Sequence, residues 1–444
     1  MRIPCSKSKR YLSGDDWLVH ALHDSSLRTT GLGNSSMVVL EMEGVFELED
    51  FTKTVRQITE AIPFFIGSVR RDWTLAPFWA SNYKKKVNVP VIIVSIEEDT
   101  KQETILFILE EWANKPFESN LDYLCFRILQ VGSTRCYLAM QFDHRLFDAY
   151  GAESFLSLLE KVFFKQIKPD QVCKEIRLTE PAHLNRWREN FLCGKAVIRC
   201  RYKLLEKPNL FLTVPFKKQY QDHISVFLND EETLQFQNQV QNHAGYLMTL
   251  PYGLYVAALV FRYLAKSVNA SEEDFLASCS VDQRYLSPDL PAIFFNYLSF
   301  MFFKISQADL EDRSGIIQIL KQQFYENTKE KFPEKLSKVM LLMRILPKKI
   351  LGNMMSTWMH VFYGSFNFAF LHKCNIKEGF FCGRRLINVF HYPRIPVQTG
   401  AGIYFNKFGK RLNMSITLHH GMIEHNQKQE LITVARNACL GISC

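Results

Sequence analysis

The stretch Asp143-His144-Arg145-Leu146-Phe147-Asp148-Ala149-Tyr150-Gly151 places an imidazole and a carboxylate in an H-x-x-x-D spacing. A neutral imidazole, with an ordinary pKa near ~6.5, can take a proton from a hydroxyl or an amine at neutral pH. Acyl transfer from a thioester needs that service for its acceptor. The ring must also be held in one tautomer and one orientation. A carboxylate four residues on can fix the loop that presents the ring, through backbone or arginine contacts rather than by touching it. Taken alone, the spacing reads equally as a histidine capping a helix, with Asp148 near the first turn. With 12 histidines in the chain, the pattern is easily met by chance.

The neighbouring sequence gives the motif a setting. Tyr123 to Gln130 and Cys136 to Phe142 are apolar runs separated by Val-Gly-Ser-Thr-Arg, which predicts a hairpin. Phe155, Leu156, Leu158, Leu159, Val162 and Phe163 then follow at helical spacing. His144 is therefore expected at a strand end, just before a helix. Upstream, residues 37–46 and Val89 to Ile96 predict strands, and the Phe51, Val55, Ile58, Ile62 series and residues 103–114 predict helices.

Residues 167–215 are less periodic and richer in charge and proline, which suggests a crossover. A second α/β pattern starts with a strand at Ile224 to Leu228 and a helix at Glu231 to Asn242, with Asp230 as N-cap. Tyr252 to Ala265 reads as a buried helix, Phe275 to Val281 and Leu298 to Ile305 as strands. Two helical stretches follow, Asp312 to Lys331 and Glu334 to Tyr363, the second broken by Pro347 and Gly352. Strands return at Arg385 to Phe390, Ala401 to Phe405 and Leu412 to Leu418, before a helix at Gln427 to Ala438. The simplest architecture is α/β (α+β), with two lobes flanking a cleft.

Composition bounds the rest. The 444 residues include 47% hydrophobic and 22% charged side chains, ordinary globular values that argue against disorder. The 36 phenylalanines suit large apolar interiors or a wide apolar channel. Eleven cysteines at irregular spacing, with no C-x-x-C pair, argue against a disulfide framework or structural zinc, so a cytoplasmic setting is the default. No run of about 18 apolar residues predicts a membrane span. Lys84-Lys85-Lys86, Arg70-Arg71, Lys348-Lys349 and Arg384-Arg385 are short basic clusters without interleaved aromatics, which is weak support for nucleic-acid binding. The net charge of +9 suits an anionic ligand such as coenzyme A, or an acidic carrier protein. Cys136 lies mid-strand and reads as core. His419-His420 reads as a strand-end pair rather than a metal site, since no third ligand has suitable spacing.

The stretch QFDHRLFDAYGAESFLSLL resembles the motif of the chloramphenicol-acetyltransferase-like superfamily. About 300 residues follow it, which resembles the layout of condensation domains, wax ester synthases and plant-type alcohol acyltransferases. The resemblance implies two such lobes in one chain, each a mixed β-sheet with flanking helices, and a tunnel between them. The corresponding division is 1–166 for the first lobe, 167–215 for the crossover and 216–444 for the second lobe. It implies His144 as general base and Asp148 as its partner in the motif, with Gly151 in support. Ser280-Val-Asp-Gln-Arg284 and Phe295-Asn296 resemble the superfamily's arginine after a strand and its Gly-Asn pair. Arg284 is then the natural charge partner of Asp148, and Asn296 a second support. Thr399-Gly400-Ala401-Gly402 resembles the strands that cross between lobes, so Gly400 and Gly402, with Asp143, are expected along the tunnel.

The sequence also departs from the pattern. Asp143 stands where condensation domains carry a first histidine, Ala149 where the glycine after Asp is usual, and Phe295 where glycine precedes Asn. The implied function is transfer of an acyl group from acyl-CoA or an acyl carrier protein to a hydroxyl or amine acceptor, a small molecule or a lipid. It requires no metal and no permanently bound cofactor, and peripheral membrane contact stays open. The alternatives are a carrier-protein-dependent, peptide-type condensation enzyme and a catalytically silent binding module.

Overall fold

A computed structural model describes residues 9–81, 87–119, 122–177, 187–212, 220–284, 291–357 and 360–442. The Lys84-Lys85-Lys86 cluster lies outside the described residues. The first part of the chain forms β1 (Lys9–Tyr11), α1 (Gly14–Thr30), β2 (Ser35–Glu43), α2 (Leu48–Ala61), β3 (Gly67–Arg71), β4 (Pro77–Ser81), β5 (Val91–Ile96), α3 (Gln102–Ala113), β6 (Leu124–Val131), β7 (Arg135–Asp143) and α4 (Ala149–Phe163). Next come α5 (Trp187–Leu205), β8 (Gln221–Leu228), α6 (Asp230–His243), α7 (Thr249–Ser267), β9 (Phe275–Asp282), β10 (Leu298–Ile305), α8 (Arg313–Lys329), α9 (Phe332–Met343) and α10 (Lys348–Thr357). The remaining elements are β11 (Phe366–Leu371), β12 (Phe380–Phe381), β13 (Arg384–Tyr392), β14 (Ala401–Phe408), β15 (Arg411–His419) and α11 (His425–Leu440).

Two six-stranded sheets organise these elements, in the orders β12-β13-β2-β7-β6-β5 and β10-β9-β11-β14-β15-β8. Both are mixed: β5 runs parallel to β6, and β11 runs parallel to β9 and β14. A third, small sheet has the order β1-β4-β3. The expected α/β architecture of two mixed sheets with flanking helices is therefore present. β7 shows why its sequence is apolar throughout. Cys136, Leu138, Met140 and Phe142 share a core with residues of α2 and α4, while Tyr137 and Ala139 pack with Ile105 and Leu109 of α3. Helices cover both faces, so alternation is lost.

Two local expectations are corrected, the α6 cap and the Gly352 break, and two others gain detail. The N-cap of α6 is Asn229, whose side chain accepts from Glu232 N–H in a capping box, not Asp230. The stretch 167–215 contains α5, which buries Asn190, Val197 and Leu204 at seven-residue spacing. Charged side chains and exposed Phe191, Leu192, Ile198 and Tyr202 on its other faces hide that stripe. The break after α9 comes at Pro347, whereas Gly352 lies inside α10. The strand Arg385 to Phe390 exists, as part of β13, but it belongs to the first sheet, pairing with β2.

That last placement ties the lobes together. Leu386 and Val389 of β13 enter the first lobe's core, and Phe390 and Tyr392 pack with Met37, Val39 and Tyr137. Where β13 runs beside the second sheet, side chains replace the strand ladder. Asn406 Nδ2 and Asn413 Nδ2 donate to the Val389 carbonyl, Ser415 Oγ to the His391 carbonyl and Thr417 Oγ1 to the Pro393 carbonyl. Buried carbonyls must be paired, and these four side chains pair them. The strand that crosses between lobes is thus β13, upstream of Gly400.

Candidate active site

The motif turn is fixed from both ends. Asp143 ends β7, paired with Ser35 of β2. Leu146 N–H and Phe147 N–H then donate to the Asp143 carbonyl, and His144 N–H donates to the Asn34 carbonyl. Asp148 is the N-cap of α4, its side chain accepting from Gly151 N–H at 2.8 Å. An aspartate is favoured there because it pairs an orphan N–H and faces the positive helix end.

His144 Nδ1 lies 3.1 Å from the Phe147 carbonyl oxygen. A carbonyl only accepts, so Nδ1 carries the proton and Nε2 the lone pair. Ser36 Oγ is 2.9 Å from Nε2 and donates to it. Arg394 N–H in turn donates to Ser36 Oγ at 3.2 Å. Burial pushes the imidazole below its ordinary pKa, while the Asp148 and Asp143 charges act against that shift. The ring is therefore neutral at pH 7, in one tautomer, with Nε2 as its basic atom.

Asp148 holds the loop without a hydrogen bond to the ring. Arg284 Nη2 is 2.7 Å from both of its oxygens, and Tyr297 N–H donates to Oδ2 at 3.1 Å. Arg284 is itself held: Nε donates to the Ala292 carbonyl and Nη1 to Asp282. Asn296 Nδ2 donates to the His144 carbonyl at 2.8 Å, and its N–H donates to Asp16 Oδ1. Phe295 N–H donates to the Leu146 carbonyl at 2.7 Å. Residues 292–297 of the second half thus lie against the motif loop. Gly151 permits this closeness, because a Cβ there would stand 2.1 Å from the Ile293 carbonyl oxygen. Phe295 adopts φ 75, a conformation that favours glycine.

A cavity of about 240 Å³ opens at His144, lined from both sheets by Ser36, Phe300, His391 and Tyr404 among others, and by Asn296 from the loop before β10. Asp143, Gly400 and Gly402 do not line it, contrary to expectation. Asp143 is fully buried and bonds Arg145 through both oxygens, at 3.0 and 2.7 Å. It braces the loop through that ion pair. A Cβ on Gly400 would meet Leu212 and the Ser365 carbonyl, and one on Gly402 would meet the Tyr404 ring. Their smallness serves close packing. Ala149, in the usual glycine position, does line the cavity.

Ser36, His391, Glu153 and Arg394 were not legible as site residues. Ser36 is placed by register alone, opposite Phe142 on β7. A larger surface groove, about 620 Å³, lies between α5, β10 and α8. Its lining alternates Lys and Arg with Glu and Asp and contains no histidine, so it offers no comparable chemistry. Cys136 is buried core, its thiol pushed up to about 12 by burial. His420 bonds Asp222 and His419 bonds the Thr399 carbonyl. Among the described residues, no three His, Cys, Asp or Glu side chains cluster to hold a metal, and no helix is long and apolar enough to cross a membrane.

No protein-family model matches the sequence, and a search of curated proteins finds no relative. Solved structures do match along almost the whole chain. A trichothecene 15-O-acetyltransferase, TRI3 from Fusarium sporotrichioides, superposes with TM-score 0.67 at 11% identity, covering 99% of this chain and 97% of that one. The starter condensation domain of rhizomide synthetase RzmA, solved with C8-CoA and Leu-SNAC, gives TM-score 0.66 at 10% identity, covering 97% and 94%. The first condensation domain of the CDA synthetase gives 0.64 at 11% identity, covering 99% and 98%. Paired mixed sheets, a strand exchanged between them and these likenesses agree on one conclusion: the chain has the two-lobed chloramphenicol-acetyltransferase-like fold.

Proposed function

We propose that this protein is an acyltransferase that moves an acyl group from a thioester to a hydroxyl or amine acceptor, with His144 as general base. One observation carries the reading. His144 presents a neutral, tautomer-fixed Nε2 whose present partner is a hydroxyl, Ser36 Oγ at 2.9 Å, inside a cavity lined by both lobes. An acceptor hydroxyl placed where Ser36 Oγ sits would have its proton in reach of that lone pair. The acceptor oxygen or nitrogen attacks the thioester carbonyl as its proton passes to Nε2. The carbon–sulfur bond then breaks, and Nε2 returns the proton to the thiolate. Ester or amide and free thiol are the products. Asp148 and Arg284 hold the loop and do not touch the reactants.

Two likenesses support the donor class. The rhizomide starter domain is described with an acyl-CoA, and TRI3 is an O-acetyltransferase. The donor here is acyl-CoA or an acyl carrier protein, and no resident cofactor is needed. The test is release of free thiol from a series of acyl-CoAs and acyl carrier proteins, with hydroxyl and amine acceptor panels. His144→Ala should abolish turnover while the far-UV spectrum and melting curve persist. Undiminished turnover in that variant would sink the reading.

A further inference from the structure

The cavity holds a second imidazole that the H-x-x-x-D motif does not provide. His391 of β13 lies opposite Val38 of β2, and Ser36 is two residues along β2 from Val38. Side chains two apart on one strand, and those directly across from them, share a face of the sheet. His391 is therefore a near neighbour of Ser36, and through Ser36 of His144, on the same cavity wall.

His391 is also built like a functional group. Its Nε2 lies 2.8 Å from Glu153 Oε1, and the residue is 6% exposed. Glu153 is 1% exposed, and its other oxygen accepts from Asn375 N–H at 2.8 Å. A carboxylate taken this far from water is tolerable only with such partners. Because the carboxylate accepts, Nε2 carries a proton, and Nδ1 is the ring nitrogen left for a ligand. Among the described residues, no protein group bonds Nδ1. The Glu153 carboxylate fixes the ring in one orientation and one tautomer, as a carboxylate does for any histidine it orients.

The surroundings separate two kinds of ligand group. Val19, Leu22, Leu298 and Phe300 make an apolar wall, and Leu22 and Phe300 also border a smaller, apolar chamber with Met340 and Met355. Tyr404, Asn406 and Ser415 stand on the cavity wall with His391. The apolar wall suits a hydrocarbon chain. The wall around His391 suits a group with hydrogen-bonding capacity of its own.

We infer that His391, oriented by Glu153, binds a second polar group of the acceptor, so that the acceptor class is a diol, polyol or amino alcohol rather than a simple aliphatic alcohol. The inference rests on the acyl-transfer reading above. His391 is on this view a specificity-determining residue, and Glu153 positions it.

The test uses octanoyl-CoA as donor, free-thiol release as readout, and 1-hexanol against 1,2-hexanediol as acceptors. The wild type is expected to prefer the diol at least tenfold in kcat/KM, mostly through KM. His391→Phe should reduce the preference below twofold. Glu153→Gln, whose amide oxygen still accepts from Nε2, should retain part of it. If His391→Phe does not fold, His391→Gln serves in its place. A wild type without the preference, or without turnover on either acceptor, overturns the inference. So does a preference that survives in His391→Phe. A purely structural pair would lower the melting temperature and leave the preference intact. Saturation-transfer NMR of both alcohols on His144→Ala separates the two readings. If His144 is not the base, that variant stays active while the binding preference for the diol persists. If the inference alone fails, the variant is inactive and binds both alcohols equally.

Discussion

Arg284 Nη2 lies 2.7 Å from each oxygen of Asp148, although 136 residues separate the two in sequence. Their side chains are 9% and 0% exposed. The guanidinium reaches the motif from the end of β9, in the second lobe, and the carboxylate caps α4 in the first. Asp148 thus joins three things at once: the helix start through Gly151 N–H, the second lobe through Arg284, and the residues 292–297 segment through Tyr297 N–H. Holding the loop that presents His144 from outside its own lobe makes the ring's position depend on how the lobes meet.

Removing the guanidinium leaves a buried carboxylate without its main charge partner. Arg284→Met should destabilise the protein by about 3–5 kcal/mol, the usual cost of breaking a buried pair from one side. Urea denaturation checks this. Arg284→Lys should recover only part of the loss, since a lysine cannot reproduce the planar donor set that also serves Ala292 and Asp282. Turnover should fall in both variants. An unchanged urea midpoint in Arg284→Met would show that the pair contributes nothing to holding the lobes.

The acidic limb of the pH–rate profile should report His144. Burial lowers its pKa, so the neutral base persists to more acid pH than an exposed histidine would allow. kcat/KM is expected to fall to half its plateau only below ~6.5, on the acid side of an ordinary histidine. The sign for Asp148 is opposite, since its charge raises the His144 pKa. Asp148→Asn should therefore move the midpoint further down on whatever activity remains. A midpoint above the ordinary histidine value in the wild type would contradict the tautomer and burial described for the ring.

Particular residues show what the sequence could and could not reveal. The hairpin before His144 and the helix after it were legible because apolar runs, a turn and a 3.6-residue period all agree there. Arg284 and Asn296 were found by resemblance, and both reach the motif loop. β13 was legible as a strand, but not as a member of the first sheet. Which sheet a strand joins depends on which core its alternate residues fill, and local pattern does not encode that. Ser36 and His391 were missed for the same reason, since only strand register brings them to His144. Gly400 and Gly402 misled because small size signals close packing as readily as a ligand path.

Phe295 occupies the place where the superfamily's glycine was expected, at φ 75. A bulky residue held there costs about 1–3 kcal/mol of backbone strain. The ring offsets this by packing: its neighbours include the Phe64 and Trp79 rings, edge-on at 5.3 and 5.7 Å, and the Arg10 guanidinium at 3.7 Å. Phe295→Gly would relieve the strain but lose a fully buried aromatic side chain, worth about 3–5 kcal/mol. The net expectation is a loss of roughly 1–3 kcal/mol by urea denaturation, smaller than for an ordinary core Phe→Ala change. Phe295→Ala should be worse than Phe295→Gly, because it loses the ring and keeps the strain. That order, Gly above Ala, is opposite to the usual one and separates strain from packing. If Phe295→Ala proves the more stable variant, the left-handed backbone at this position carries no strain that glycine relieves.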